Sequence, residues 1–391
     1  MDSFRHIFYN PDVVAARLQG KPDPASKKTI SIQEAEKFFP STITMQAPAT
    51  STSGTANVSV KIEDDNMPVQ NIKILVNGRL VDKDELAGLT GAKGLVAEKA
   101  SLTVTGSQKT LSFDIKLKLD PGANMIEVVA LNDFKAEARH KVTTTWVTDQ
   151  KPELPNLWIL AVGVNHYDNA GPGLDGLKSL NFCVNDALEI VKAFKAQEGK
   201  RYAKVNALLV ADGYKEPTAE NIRTSLSFLE QAGSRDTILL FLAGHGETGK
   251  GGMYEFLAKD AIFNADKTFS NVITGEEIST VLNSPGNRLI FIDTCHSGGV
   301  NNDRMIRQFM DTNAYVFASC KGDELSLELF DLRHGVFTYS ILDTLKERRT
   351  QGILSVIDLS GKVSIDVPKR VEGRQNPVGY SRGFYDFVIG E

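Results

Sequence analysis

From Ala56 to about Val147, apolar and polar residues alternate with a period of two, the mark of strands with one buried face. Val58, Val60 and Ile62 share one parity; so do Ile72, Ile74 and Val76, which run into the turn pair Asn77-Gly78. Leu102 and Val104 follow, then Leu111, Phe113, Ile115 and Leu117. After Pro121-Gly122 come Ile126, Val128 and Ala130, with Val142 and Thr144 last. Short alternating strands separated by turn signals predict an all-β immunoglobulin-like sandwich over residues 55–148. The segment has no cysteine, so such a sandwich lacks an inter-sheet disulfide, and it has no cluster of reactive side chains. It reads as a spacer or docking module. Ahead of it, residues 1–45 predict a short helical N-terminal segment. Asn10 can cap a helix that begins with Pro11 and ends at Gly20, and Ser31-Ile32-Gln33-Glu34 has capping-box spacing before a stop at Pro40. Ala47 to Gly54, rich in small residues, reads as a linker.

Beyond Pro152 and Pro155 the pattern changes. Unbroken apolar runs at Trp158–Val164, Val205–Val210, Thr237–Ala243, Leu289–Asp293 and Tyr315–Ala318 predict buried strands. Helical patterns lie between them, roughly at Asn181–Gln197, Ala219–Gln231 and Gly275–Leu282. Strand–helix alternation predicts a mostly parallel sheet with helices on both faces over residues 157–391.

Composition narrows the classes. A chain of 391 residues, 41% hydrophobic and 24% charged, is ordinary for two or three globular domains. A net charge of −5 argues against nucleic acid or an anionic membrane as partner. No apolar run approaches the ~20 residues of a membrane span, and the start lacks a signal-peptide core. Three widely spaced cysteines, Cys183, Cys295 and Cys320, form no disulfide framework, so a reducing, cytoplasmic location is expected.

Two strand ends carry chemistry: Ala243 runs into Gly244-His245-Gly246, and Ile292 into Asp293-Thr294-Cys295-His296-Ser297-Gly298-Gly299. The carboxyl ends of strands are where active sites of open α/β sheets collect. Cysteine becomes a strong nucleophile when an imidazole stabilises its thiolate. Cys295 is therefore the candidate nucleophile, His245 the acid/base, and the backbone amides of Gly246 and Cys295 the candidate oxyanion donors. Rival readings exist: a small buried cysteine, a turn histidine, or zinc held by His245, Cys295, His296 and Asp293, which no CxxC or HxxxH spacing supports. His296 is a weaker base candidate, His166 reads as a loop residue, His334 as a helix start and Cys183 as core.

These motifs resemble the caspase-like cysteine peptidases (peptidase family C14), and within them the metacaspase or bacterial orthocaspase branch. The resemblance covers roughly residues 157–391 and includes Val162-Gly163-Val164-Asn165, Asn185-Asp186-Ala187 and His334-Gly335-Val336-Phe337-Thr338-Tyr339. The separation of histidine and cysteine, about 50 residues, is that of caspases. The resemblance implies a caspase-hemoglobinase fold with a six-stranded, largely parallel sheet, and cleavage of peptide bonds. Caspases proper carry glutamine two positions before the nucleophile and cut after aspartate. Here that position is Asp293, which with Asp186 implies an S1 pocket for arginine or lysine. Asp186 shares a helix face with Phe182, Cys183 and Ile190, where a carboxylate needs a polar or cationic partner. Arg304 and Arg307 lie in the interval that some relatives cut in self-cleavage. Many metacaspases depend on calcium, but no carboxylate-rich loop here has calcium spacing, and no cofactor or metal site is expected. An activating protein docking on the β-sandwich is a second expected partner. Relatives with such an extension are parts of larger chains, so a further upstream region is compatible with this start. The alternative function is a catalytically silent caspase-like scaffold.

Overall fold

The computed structural model describes residues 39–91, 93–98, 101–133, 136–169, 177–249, 253–282, 286–296, 309, 314–321, 324–348, 352–381 and 386–390. The chain divides into two compact units at Pro152/Glu153.

Among its described residues the first unit holds ten strands: β1 (Thr42–Gln46), β2 (Thr50–Ser51), β3 (Thr55–Glu63), β4 (Val69–Val76), β5 (Arg79–Leu80), β6 (Leu95–Glu98), β7 (Ser101–Val104), β8 (Thr110–Lys118), β9 (Gly122–Asn132) and β10 (Glu137–Trp146). A one-turn helix, α1 (Lys83–Ala87), sits between β5 and β6. One sheet has the order β1-β3-β8; the other runs β2-β10-β9-β4-β7-β6, with β5 paired to β4. The alternation decides which face is buried: Val58, Val60, Ile62, Phe113 and Ile115 of the small sheet share a core with Ile72, Ile74, Ile126 and Val128 of the large one. Asn77 and Gly78 both take positive φ, 52° and 79°, which a two-residue hairpin turn requires.

Two assignments near the start of this unit are corrected. Thr42–Gln46, placed at the end of the helical segment, is a strand paired with β3, with Ile43 and Met45 buried. Thr50–Ser51, placed in the linker, pairs with β10. Thr42–Gln46 does alternate, with Ile43 and Met45 inward between Thr42, Thr44 and Gln46, but the run is short and directly follows Pro40; Thr50–Ser51 is too short to show a period. Their neighbours across the sheet supply the pairing. The two predicted helices before Pro40 lie outside the described residues.

In the second unit the elements are β11 (Leu157–Gly163), α2 (Cys183–Lys195), β12 (Val205–Ala211), α3 (Ala219–Leu226) with a 3-10 turn at Ser227–Gln231, β13 (Thr237–Thr248), β14 (Tyr254–Phe263), β15 (Phe269–Thr274), α4 (Gly275–Leu282), β16 (Asn287–His296) and β17 (Tyr315–Ala318). Then come β18 (Glu328–Leu329), β19 (His334–Gly335), α5 (Val336–Arg348), β20 (Leu354–Ser355), α6 (Val356–Arg370), β21 (Val378–Tyr380) and β22 (Val388–Gly390). The main sheet has the order β12-β11-β13-β16-β17-β21. Its first five strands are parallel and β21 is antiparallel. The expected six strands are thus extended by the hairpin β14–β15, which makes eight.

Leu160, Leu240, Leu242, Ile290 and Ile292 on one sheet face pack with Ile222 and Leu226 of α3 and Ile278 and Leu282 of α4. On the other face Phe337 of α5 stacks edge-on against Phe317 and Phe291, at 4.8 and 6.5 Å between ring centres. Each such fully buried side chain contributes about 1.5–3 kcal/mol. Helices therefore cover both faces, and the strands carry apolar residues on both. Among the described residues no helix is long and apolar enough to cross a membrane.

Candidate active site

Strand β13 does not end at Ala243. It continues through Gly244-His245-Gly246 to Thr248, because its far end gains β14 as an antiparallel neighbour, with Gly246 opposite Phe256. Strand β16 likewise runs through Cys295 to His296. The parallel register of the two strands sets Ala243 beside Asp293 and His245 beside Cys295. Neighbouring strands lie about 4.8 Å apart, so histidine and cysteine occupy adjoining positions.

Packing explains both glycines around His245. A Cβ on Gly244 would come within 3.0 Å of Tyr167 Oη, and one on Gly246 within 2.7 Å of Thr294 Oγ1. The His245 amide donates to Tyr167 Oη at 2.7 Å, and the two rings lie 4.9 Å apart. His245 Nε2 sits 2.7 Å from the carbonyl oxygen of Lys178. A carbonyl only accepts, so Nε2 carries the hydrogen and Nδ1 is the basic nitrogen of the neutral ring. Burial holds the imidazole below its ordinary pKa, against the opposing pull of the Lys178 carbonyl and of Glu247 and Glu328. At neutral pH it is a neutral base.

Asp186 and Asp293 come together at the start of α5. Both are buried, at 2% and 7% exposure. Asp186 accepts from His334 Nδ1 at 2.5 Å and from the Gly335 amide at 3.0 Å. Asp293 accepts from Ser326 Oγ at 2.6 Å and Thr338 Oγ1 at 2.5 Å. Gly335 lies between them: a Cβ there would fall 2.8 Å from Asp293 Oδ2 and 3.1 Å from Asp186 Oδ2. The positive end of the α5 dipole favours negative charge at this place. Burial nevertheless raises both carboxyl pKa values, Asp186 to about 7, with the charge of Asp293 adding to the rise.

A fully buried amide supports the pocket from behind. Gln375 Nε2 donates to Ser319 O at 3.0 Å and Ser326 Oγ at 3.2 Å, while its Oε1 accepts from the Leu327 amide at 3.0 Å. Cys320 is buried, and its thiol reaches the carbonyls of Thr294 and Glu324 at 3.7 and 3.4 Å. Glu324 is engaged by the amide and side chain of Asn376, both at 2.7 Å. Glu328 accepts from the amides of Asn181 and Phe182 and so closes the open start of α2, whose N-cap residue offers no side-chain bond. Cys183 is buried on α2. His166 is exposed, and its amide donates to Asp212. Among the described residues no group of three or more His, Cys, Asp or Glu is placed to hold a metal ion. Arg304 and Arg307 lie outside the described residues.

The structure thus brings His245 next to Cys295, and Asp186 next to Asp293. Sequence reasoning missed Tyr167, the Lys178 carbonyl, Ser326 and Gln375, and it quoted His334 and Thr338 without giving them a place at the acidic pair. The run from His334 to Thr338 carried a usable signal, a histidine and a threonine on either side of the start of α5. A backbone carbonyl carries none, since every residue has one.

The family model Peptidase_C14, described as a caspase domain, matches residues 157–387. A paracaspase from Dictyostelium discoideum is 26% identical over 140 residues, which are 35% of this chain and 33% of that protein. The chain therefore spans only about a third of that relative's length. Among solved structures, caspase-1 from Spodoptera frugiperda is 17% identical with a TM-score of 0.42, over 61% of this chain and 90% of the other. The structure of drICE is 14% identical with a TM-score of 0.34, over 62% and 98%.

Proposed function

Because the chain belongs to the caspase-domain family, peptidase family C14, we propose that it is a cysteine endopeptidase of the metacaspase or orthocaspase branch that cuts after arginine or lysine. The observation that carries this reading is the register pairing of His245 with Cys295 on adjacent parallel strands. His245 Nδ1 accepts the thiol proton as the Cys295 sulfur attacks the scissile carbonyl. The amides of Gly246 and Cys295 hold the oxyanion. The C–N bond then breaks, the imidazolium gives its proton to the leaving amine, and a thioester remains. Water, deprotonated by the same imidazole, hydrolyses the thioester and frees the thiol. The Lys178 carbonyl keeps the ring in the tautomer that this sequence of transfers needs.

Asp186 and Asp293 form the floor of the S1 pocket in this reading. The carboxylates hold hydrogen bonds from His334, Gly335, Ser326 and Thr338, and a carboxylate has about four lone-pair sites, which leaves acceptor capacity for a guanidinium or ammonium group. Arg304 and Arg307 supply basic residues for self-cleavage between the two halves of the catalytic domain. The N-terminal β unit is a docking module for an activating protein. The test is hydrolysis of fluorogenic peptides ending in arginine, lysine or aspartate by the native chain and by Cys295→Ala. Turnover of the basic peptides by the native chain alone is expected. Equal turnover by both proteins overturns the enzymatic reading in favour of a silent scaffold, and faster cleavage after aspartate overturns the pocket.

A further inference from the structure

Among the described hydrogen-bond partners of the acidic pair, His334 alone carries an imidazole. It lies on β19, with its side chain 15% exposed and Nδ1 2.5 Å from Asp186 Oδ1. We propose that His334 is a specificity-determining residue of the pocket: the Asp186–His334 pair takes up one proton as the pH falls, which cancels one of the two negative charges offered to a basic side chain. The inference rests on the basic-side-chain reading above and adds its regulation.

The surroundings support it. Buried opposite Asp186, across Gly335, is Asp293 of β16, a like charge that disfavours two ionised carboxylates in one site. Burial first, and that charge next among the raising causes, lift the Asp186 carboxyl to about 7. Glu328 of β18 adds further negative charge near Asp293. On its other side His334 lines a groove of about 470 Å³ between α2 and α5, which gives it access to solvent. The charges of that groove are Glu189 and Lys192 of α2, paired at 2.6 Å, and Asp343 and Lys346 of α5, with Asp343 held by Arg370 at 3.0 Å. Asn185 of α2 approaches the imidazole at 3.3 Å. Asp186 is the ion-pair partner of His334, at 2.5 Å, and a proton added to the pair removes one unit of negative charge from the site. A bound cation favours the deprotonated pair, so binding expels the proton.

The experiment uses the full chain and benzamidine, a bare amidinium, as competitor of an arginine-ending peptide. Its inhibition constant and kcat are followed as the pH is lowered from about 8 to about 5. The constant is expected to rise toward tenfold per pH unit once the pair is protonated, while kcat holds over the first unit of that rise. His334→Gln keeps an amide donor for Asp186 but removes the imidazole, whose charge holds the Asp186 carboxyl down, so in it the rise begins at higher pH. His334→Asn, measured in parallel with thermal melting of both variants, shows whether the shift survives a different donor and an intact fold. Superimposable inhibition profiles in the native chain and in a folded variant overturn the proposal and leave the basic pocket standing. Equal hydrolysis of arginine- and citrulline-ending peptides at every pH overturns the basic-side-chain reading, and this inference with it.

Discussion

Gly335→Ala is the smallest change that tests the acidic pocket. The added methyl would sit 2.8 Å from Asp293 Oδ2 and 3.1 Å from Asp186 Oδ2. Neither carboxylate can swing away freely, since each is buried and held by at least two hydrogen bonds. Relief requires a movement of a few tenths of an ångström, which loosens the Thr338 and Gly335 bonds. Overpacking of this kind costs about 1–3 kcal/mol. For a unit of this size each kcal/mol lowers Tm by about 2–4 °C. The same displacement removes good geometry from one charge-assisted bond to an incoming guanidinium, about 1.5–3 kcal/mol, or roughly 10- to 100-fold in kcat/KM for an arginine peptide. Gly361 in α6 is the matched control: nothing lies within 4 Å of its Cβ position. Gly361→Ala should stabilise the helix by about 0.5–1 kcal/mol and leave peptide turnover alone. Differential scanning fluorimetry and fluorogenic kinetics on both variants decide the matter. A Gly335→Ala protein that melts with the native chain and keeps its arginine kcat/KM refutes the pocket geometry.

Two other outcomes follow from the histidine. Burial lowers the His245 pKa, so the neutral, proton-accepting ring persists to lower pH than an ordinary imidazole allows. The acid limb of kcat is therefore expected below about pH 6.5, and a limb above that value contradicts the burial argument. Tyr167→Phe removes the acceptor that the His245 amide uses at 2.7 Å. It should cost about 1–3 kcal/mol of stability and lower kcat with little change in KM; unchanged kcat and Tm would show that Tyr167 does not hold the strand end.

Much of the second unit was legible in the sequence. The runs Leu239–Ala243 and Leu289–Ile292 are unbroken because both sheet faces are covered, and that alone marks them as central strands. The pairing of His245 with Cys295 followed from those runs and from the parallel order. What stayed hidden depends on non-local backbone. Thr42–Gln46 is a short alternating run whose pairing is supplied by β3, and the Gly-His-Gly segment stays extended because β16 and β14 both pair with it. The partners of Asp186 were hidden for a similar reason. A carboxylate on the buried face of α2 announces a need for donors, but His334 and Gly335 arrive from a hairpin far along the chain.

Covalent capture tests the central claim most directly. An arginine-ended acyloxymethyl ketone peptide, followed by intact-mass and fragment-mass analysis, is expected to add one peptide mass to the chain, on Cys295. Labelling should fall sharply in His245→Ala, where no base draws the thiol proton. Equal labelling of Cys183 or Cys320, or no adduct on a folded native chain, would contradict the assignment of Cys295 and His245 as a working pair.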